Sequence, residues 1–397
     1  MVNGNYKIQL GEEADRQEVN RLLWKALAVT SKMEDFKSPI WLEPGHSRSL
    51  LMKDNGKIIA NLTICSFESA IRGYAIPFGG IAEVATAPTH RRQGLVRALH
   101  AAAFQNMKDN GEVLSILGPF DVAFYEKFGF ATAEEWRQHS FQAENLRTVQ
   151  PSPSIAVREL RSTEEAPKLL ELTRSMTRFG SIVFPRLQDL EEAITSHNAF
   201  IFEENGEPVG WTKFHFRLDS NKQWTMIVSI LSAWKTDEVL LALVHLIKNY
   251  GAQCLGSLIW NCFPQVPVRP FLKDRFKAQT KFQGEYMVRI VDFSNYCELI
   301  QIPERASAEI IIQIQDKMCP WNNGTYLLQP QEGNLVVEET DQTPDVVLNA
   351  LRLSRVVGGL TTPTTLRTVG QVDCSKETAE KLETIFPREN LMILNRF

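Results

Sequence analysis

No run of eighteen uncharged apolar residues and no block rich in lysine and arginine occurs in this 397-residue chain. The first absence excludes a helix that spans a membrane. The second, with a formal net charge of −4, leaves no global positive field to attract nucleic acid. The opening MVNGNYKIQL lacks the basic-then-apolar layout of a secretion signal, which sets the expectation of a cytoplasmic protein. Cysteine is scarce. Cys65, Cys254, Cys262, Cys297, Cys319 and Cys374 form no CxxC pair and have no histidines at zinc-ligand spacing. The expectation is free, mostly buried thiols and no metal.

What is present is enough apolar sequence for two or three domains. Residues 6–27, YKIQLGEEADRQEVNRLLWKAL, read as a short strand and an amphipathic helix with Val19, Leu22, Leu23 and Leu27 on one face. Residues 156–176 repeat that order, with Ser162 and Glu165 spaced as a capping box. SLLMKDNGKIIA (49–60) and AFIFEENGEPVG (199–210) both set an Asn-Gly turn between apolar runs. Leu10 with Leu160, and Gly56 with Gly206, each stand 150 positions apart. Two matches at one offset point to a duplicated α/β unit. After about residue 295 the pattern changes to strands at 310–316, 325–329 and 334–340. A helix over 344–357 stopped by Gly358-Gly359, another from Ser375 and a final apolar strand, LMILNRF, complete an α+β block.

The chemistry concentrates in PTHRRQGLVRAL (88–99). GGIAEVATAP (79–88) reads as the strand before it, and Leu95, Ala98, Leu99, Ala102 and Met107 keep a helical period after it. Arg91 to Val96 therefore lie on a strand-to-helix turn. Its unpaired N–H groups and the positive end of the helix converge on one spot. Gly94 lets a ligand approach the backbone, and arginines add charge-assisted hydrogen bonds. A pyrophosphate fits that geometry. Aligning the glycine stops Gly111 and Gly251 places LSAWKTDEVLLALV (231–244) opposite this turn, with neither the arginine pair nor the glycine. The second copy is expected to bind no cofactor phosphate.

This stretch resembles motif A of the GNAT acetyltransferases, with Arg91, Gly94 and Val96 at the (R/Q)-x-x-G-x-(G/A) positions. Val96 departs from the usual small residue. APTHRRQGLVRAL is similar to the version in the enhanced-intracellular-survival family, multi-acetylating aminoglycoside N-acetyltransferases. That resemblance implies an α/β (α+β) fold of tandem GNAT units, each a mixed twisted sheet with flanking helices, and a sterol-carrier-protein-2-like α+β domain. The expected boundaries are 1–150, 151–294 and 295–397. It implies acetyl-CoA as cosubstrate, held by backbone groups of Val84, Ala85 and Thr86 and by Arg91, Arg92, Gln93, Gly94, Leu95, Val96 and Arg97. It also implies a homo-oligomer, often a hexamer.

Acetyl transfer from a thioester needs a polarised carbonyl, a deprotonated amine, alignment and a proton for the departing thiolate. VLSILGPFDVAFYEKFGF (113–130) resembles motif B, whose tyrosine protonates the sulfur, which assigns the acid to Tyr125. No histidine lies beside it in the sequence. In the resembled family the base is the carboxylate of the last residue, here Phe397. A polycationic acceptor calls for carboxylates mixed with aromatic rings. Trp24, Glu34, Asp35, Phe36, Trp41 and Glu43 supply that mixture without choosing among aminoglycosides, polyamines and lysine side chains. A different class stays open: a non-catalytic carrier of an apolar ligand in the C-terminal domain.

Overall fold

The structure is a computed structural model that describes residues 6–27, 32–38, 46–72, 74–196, 198–220, 222–254, 257–284 and 286–395. Two compact units emerge. The first comprises 1–133 with 285–389, and the second 134–284 with 390–396.

The first unit opens with β1 (Ile8–Leu10), α1 (Arg16–Ala26) and the hairpin β2 (Ser47–Asp54) and β3 (Lys57–Phe67). Asn55 and Gly56 turn that hairpin with φ of 47° and 78°, the left-handed pair a two-residue turn demands. There follow β4 (Phe78–Thr86), α2 (Leu95–Asp109), β5 (Leu114–Leu117) and the short α3 (Val122–Glu126). The sheet runs β1-β2-β3-β4-β5, then Met287–Ile290, then Ala131–Thr132. Only β4 and β5 in this series pair in parallel, through Phe78–Gly80 and Leu114–Ile116. Alternation along β2 divides the two faces. Leu51 joins Val19, Leu22 and Leu23 of α1, whereas Leu50 and Met52 join Leu95, Leu99, Phe104 and Met107 of α2. Leu27, expected on the α1 face, is instead 51% exposed, because the helix stops at Ala26.

The second unit repeats the plan. Its order is Ile155–Glu159, Ala199–Glu204, Glu207–Leu218, Trp224–Val228, Leu258–Cys262, Trp136–Phe141 and Gln279–Gln283. Here too a single parallel pair, Met226–Val228 with Leu258–Trp260, sits in the middle. Asn205 and Gly206 turn its hairpin with φ of 53° and 81°. The capping box expected from Ser162 and Glu165 does not form. Ser162 accepts from the Glu164 amide, while Glu165 pairs with Arg158 at 2.6 Å.

The sixth strand of each sheet lies outside the segment that supplies its neighbours. Trp136–Phe141 completes the second sheet, and Met287–Ile290 completes the first. The compact units accordingly change over at 133/134 and 284/285, ahead of the expected 150 and 294.

The α+β block holds Asn334–Glu339, Gly324–Gln331, Ile310–Gln315 and Val346–Asn349 as one sheet. The helix expected over 344–357 is a correction. Val346–Asn349 pairs in parallel with Ile312–Gln315, and the helix is Ala350–Gly358, because the Asn349 side chain caps it by accepting from Arg352 N–H. Gly359 ends it at φ 71°, and Ser375 caps Lys376–Ile385 as expected. Leu391–Ile393 pairs in parallel with Ser181–Val183 inside the second unit. The cysteines are free, and all but Cys374 are buried. Among the described residues no helix is long and apolar enough to cross a membrane.

Candidate active site

The site is built on β4 and the turn that follows it. Glu83 sits in the left-handed region at φ 51°, and the β3–β4 register slips there, with Asn61 opposite Ala85 but Thr63 opposite Ala82. This is a β-bulge, which bends a strand and re-aims its side chains. The side-chain amide of Asn61 holds it by donating to the Glu83 carbonyl at 2.9 Å. Beyond Gly80 β4 pairs with β3 on one side but with no strand among the described residues on its β5-facing edge. Val84, Ala85 and Thr86 all lie on this bent segment, and the Thr86 hydroxyl is buried without a partner.

After Thr86 comes a single 3-10 turn, Pro88–His90, and then two left-handed residues, Arg92 at φ 62° and Gly94 at φ 81°. Glycine tolerates this without cost; arginine does not, and non-glycine residues in this region mark functional turns. Arg91 before them is extended at φ −66° and ψ 156°, and the two left-handed residues lead straight into the N-terminal end of α2, where unpaired amides and the helix dipole favour an anion. No side chain caps Gly94, whose carbonyl accepts only from Ala98 at 3.1 Å. The amides of Arg92, Gln93, Gly94, Leu95 and Val96 take no acceptor among the described residues. Arg91 and Arg92 are exposed and form no ion pair there, while Gln93 and Val96 are half-buried. Leu95 anchors the turn in the core, and Val96 packs against the same core, partly buried. Arg97 points elsewhere, over the Phe128 ring at 5.5 Å and toward the Met318 sulfur at 3.7 Å.

Tyr125 lies on α3, which Asp121 caps by accepting from Phe124 N–H at 3.0 Å. The residue is 4% exposed, within a cage of Phe120, Phe124, Phe128 and Phe130. Burial pushes its phenol up to about 12, and its hydroxyl has no hydrogen-bond partner among the described residues. The fold also brings a histidine beside it. His100 of α2 lies 6.0 Å from the Tyr125 ring and stacks on Phe128 at 4.4 Å. Its Nδ1 donates to the Val96 carbonyl at 2.8 Å, and burial lowers it to about 4, so it is neutral.

A carboxylate that sequence reasoning missed is Glu83. Its Oε2 accepts from the Thr63 hydroxyl at 3.0 Å and its Oε1 from the Ser38 hydroxyl. Burial raises its pKa, partly offset by those two donors. Only its place as a lone acid in the apolar GGIAEVATAP could have signalled it. Ser38 lies within the expected acceptor segment and is tied to α1 by its backbone N–H, which donates to Asn20 Oδ1 at 3.0 Å. Glu34 and Phe36 line a cleft of about 900 Å³ against α1 with Glu18, Arg16, Arg21 and Lys37. Trp24 and Asp35 do not line it. Trp41, Glu43 and Phe397 lie outside the described residues.

Behind the site runs a buried ion pair. Arg289, fully buried, donates to both Asp316 oxygens at 2.8 and 2.7 Å, to Cys319 Sγ at 3.0 Å and to the Phe128 carbonyl. Its guanidinium stacks 4.3 Å over the Phe104 ring. Gly129 is needed here, because a Cβ would meet that guanidinium. Met318 and Cys319 thereby join the same core as α2.

Among the described residues the second unit has no arginine pair and no left-handed glycine ahead of the matching helix. Its corresponding helix, Asp237–Gly251, opens with Asp237 and Glu238 in the first turn, which repels an anion.

Residues 7–133 match the family described as Acetyltransferase (GNAT) domain, and residues 295–393 match Sterol carrier protein domain. A relative from Streptomyces avermitilis, named as an uncharacterized N-acetyltransferase, is 22% identical over 82% of this chain and 83% of its own. N-acetyltransferase Eis of Mycobacterium tuberculosis is 38% identical over 58 residues, 15% of this chain and 14% of that one. The crystal structure of Eis1 from Mycobacterium abscessus superposes with a TM-score of 0.78 at 18% identity, covering 97% of this chain and 98% of that one.

Proposed function

We propose that this Eis-like N-acetyltransferase of the GNAT type moves an acetyl group from acetyl-CoA directly to a primary amine of a cationic acceptor. The observation that carries the reading is the turn at Arg92–Gly94, with unpartnered amides and two uncompensated guanidiniums beside the β5-facing edge of a bulged strand. The amides and the Arg91 and Arg92 side chains bind the diphosphate, while Val84, Ala85 and Thr86 offer backbone groups to the pantetheine arm and thioester carbonyl. Glu83 takes the ammonium proton, its raised pKa matching it better to that task than an ordinary carboxylate. The amine nitrogen attacks the carbonyl carbon, the C–S bond breaks, Tyr125 donates its proton to the sulfur that leaves, and the second proton shed by the nitrogen as the amide forms passes through solvent to restore the phenol. The acceptor in this reading is an aminoglycoside, a polyamine or a lysine side chain; in the α1 cleft the carboxylates of Glu18 and Glu34 and the ring of Phe36 would take its amine, against the opposing charges of Arg16, Arg21 and Lys37 on the same walls. Homo-oligomerisation, up to a hexamer, belongs to the same reading.

Thermal unfolding with acetyl-CoA tests this directly. Ligand at one hundred times Kd adds about 2.7 kcal/mol of stability. The expected result is a rise in melting temperature that Arg91→Gln reduces. No rise at millimolar acetyl-CoA overturns the reading.

A further inference from the structure

The second unit holds a cavity whose lining is separate from the helix Asp237–Gly251. A cavity of about 370 Å³ is lined by Arg137, His139, Arg269, Thr280, Phe282 and the proline-rich loop 264–270. Arg137 and His139 share one face of the strand Trp136–Phe141, and their antiparallel partners are Phe282 and Thr280. The imidazole is 2% exposed. Its Nδ1 pairs with the Thr280 hydroxyl at 2.9 Å, and its Nε2 is buried without a partner. Nε of Arg137 is likewise buried and unpartnered, and that guanidinium lies 5.7 Å over the Phe282 ring. Neither Arg137 nor Arg269 makes an ion pair among the described residues, although Arg158 nearby in sequence makes two. The fields of Arg137 and Arg269 both act on His139 and, after burial, help lower it to about 4.

Two like-charged guanidiniums, Arg137 half-buried and Arg269 exposed, and a buried imidazole nitrogen face one cavity, and no carboxylate among the described residues pairs with either arginine. With Nδ1 accepting from the Thr280 hydroxyl, Nε2 carries the proton of the neutral imidazole, and that N–H with the two guanidiniums matches a tetrahedral oxyanion, because arginine presents paired donors to phosphate. Prolines 264, 267 and 270 stiffen the loop that presents Arg269. Phe282, 67% exposed, offers a ring face at the rim.

We propose that Arg137, His139 and Arg269 bind a phosphate group, free or at the end of a small organic phosphate, at a site separate from the cofactor cradle.

Calorimetric titration of the full chain with sodium phosphate, at ionic strength held constant with chloride, tests this. The expected result is saturable binding that Arg269→Gln or Arg137→Gln weakens about tenfold or more and that Arg91→Gln leaves intact. Loss through Arg91→Gln with retention in Arg269→Gln assigns the binding to the cradle and overturns the proposal. So does phosphate binding no tighter than chloride. The same arginine variants should melt at or above the wild type in phosphate-free buffer, since each removes uncompensated repulsion; a clear drop gives the arginines a structural role and also overturns it. Phenyl phosphate separates the two sources. Tighter binding than inorganic phosphate, lost in Phe282→Ala, identifies an organic phosphate, and equal affinity identifies the free ion.

Discussion

Replacing Tyr125 with phenylalanine should slow turnover while leaving the fold at least as stable. The phenol sits at about 12, and an ordinary thiol near 8.5. Complete proton transfer to the departing thiolate is therefore uphill by about 3.5 units, or about 5 kcal/mol. The hydroxyl then acts first as a hydrogen-bond donor to developing charge on sulfur, with the proton following late. Such a bond to a charged acceptor contributes about 1.5–3 kcal/mol, which is roughly a 10- to 150-fold loss of kcat on its removal. Because the hydroxyl has no partner among the described residues, deleting it strands none of them; stability should hold or rise by up to about 1 kcal/mol. Release of free thiol, followed with a disulfide dye at saturating acceptor, gives kcat and the KM for acetyl-CoA separately. Since a phenol at about 12 stays protonated through pH 6–9, the variant and wild-type profiles should run parallel. A kcat within twofold of wild type, or a loss confined to KM, refutes the assignment.

Glu83→Gln should cut kcat/KM by roughly 10²-fold or more at pH 7.5 and abolish the acid limb of the wild-type profile. The raised pKa of Glu83 means its stabilising contribution is present below its ordinary 4.5 and lost as pH rises through the folded value, so the neutral variant should melt no lower at pH 7.5. Adding two residues after Phe397 should then cost little activity; a larger loss than Glu83→Gln gives would pass the role of base to the Phe397 carboxylate. Arg92→Asn keeps a residue that tolerates φ near 62° but removes the charge, so calorimetry should show acetyl-CoA binding weakened about tenfold with an unchanged melting temperature. Asp316→Asn strands the buried Arg289 charge, and urea unfolding should register a loss of about 3–5 kcal/mol. An unshifted midpoint would remove that pair from the structural account.

Features written in a few adjacent residues were legible. The Asn-Gly hairpins, the Gly94 turn and the helix stop at Gly359 each depend on one local backbone conformation that a side chain advertises. Glu83 was not legible, because a bulge is a mismatch between two strands and neither strand alone encodes it. His100 reached Tyr125 only through the packing of α2 against α3, with their residues far apart in sequence. The helix expected from Pro344 failed for the opposite reason. Val346 and Leu348 alternate as a strand, and the helical period begins only after Asn349, so one apolar window merged two elements. Of the acceptor residues, Glu34 and Phe36 share the α1 cleft, while Trp24 and Asp35 do not; a composition argument has no means of telling those apart.

The exchanged strands explain why sequence boundaries at 150 and 294 fell past the structural ones. In a doubled chain each copy carries the sixth strand immediately after its own fifth-strand crossover, so periodicity assigns it to that copy. Pairing does not follow that assignment. Arg137 to Phe141 align with Cys262 to Leu258, and Met287 to Ile290 align with Leu117 to Leu114. A fragment ending near residue 133 or 150 would therefore leave β5 with an unpaired edge, its four residues, three of them apolar, all buried in the full chain. Such an edge is a template for pairing with other chains. The first unit's sheet thus closes only when residues beyond 284 are present, and Arg289 on its closing strand is then neutralised by Asp316 of the α+β block. Dependence of α2 on that block follows from the same residues, since Cys319 and Met318 fill the core against which α2 packs.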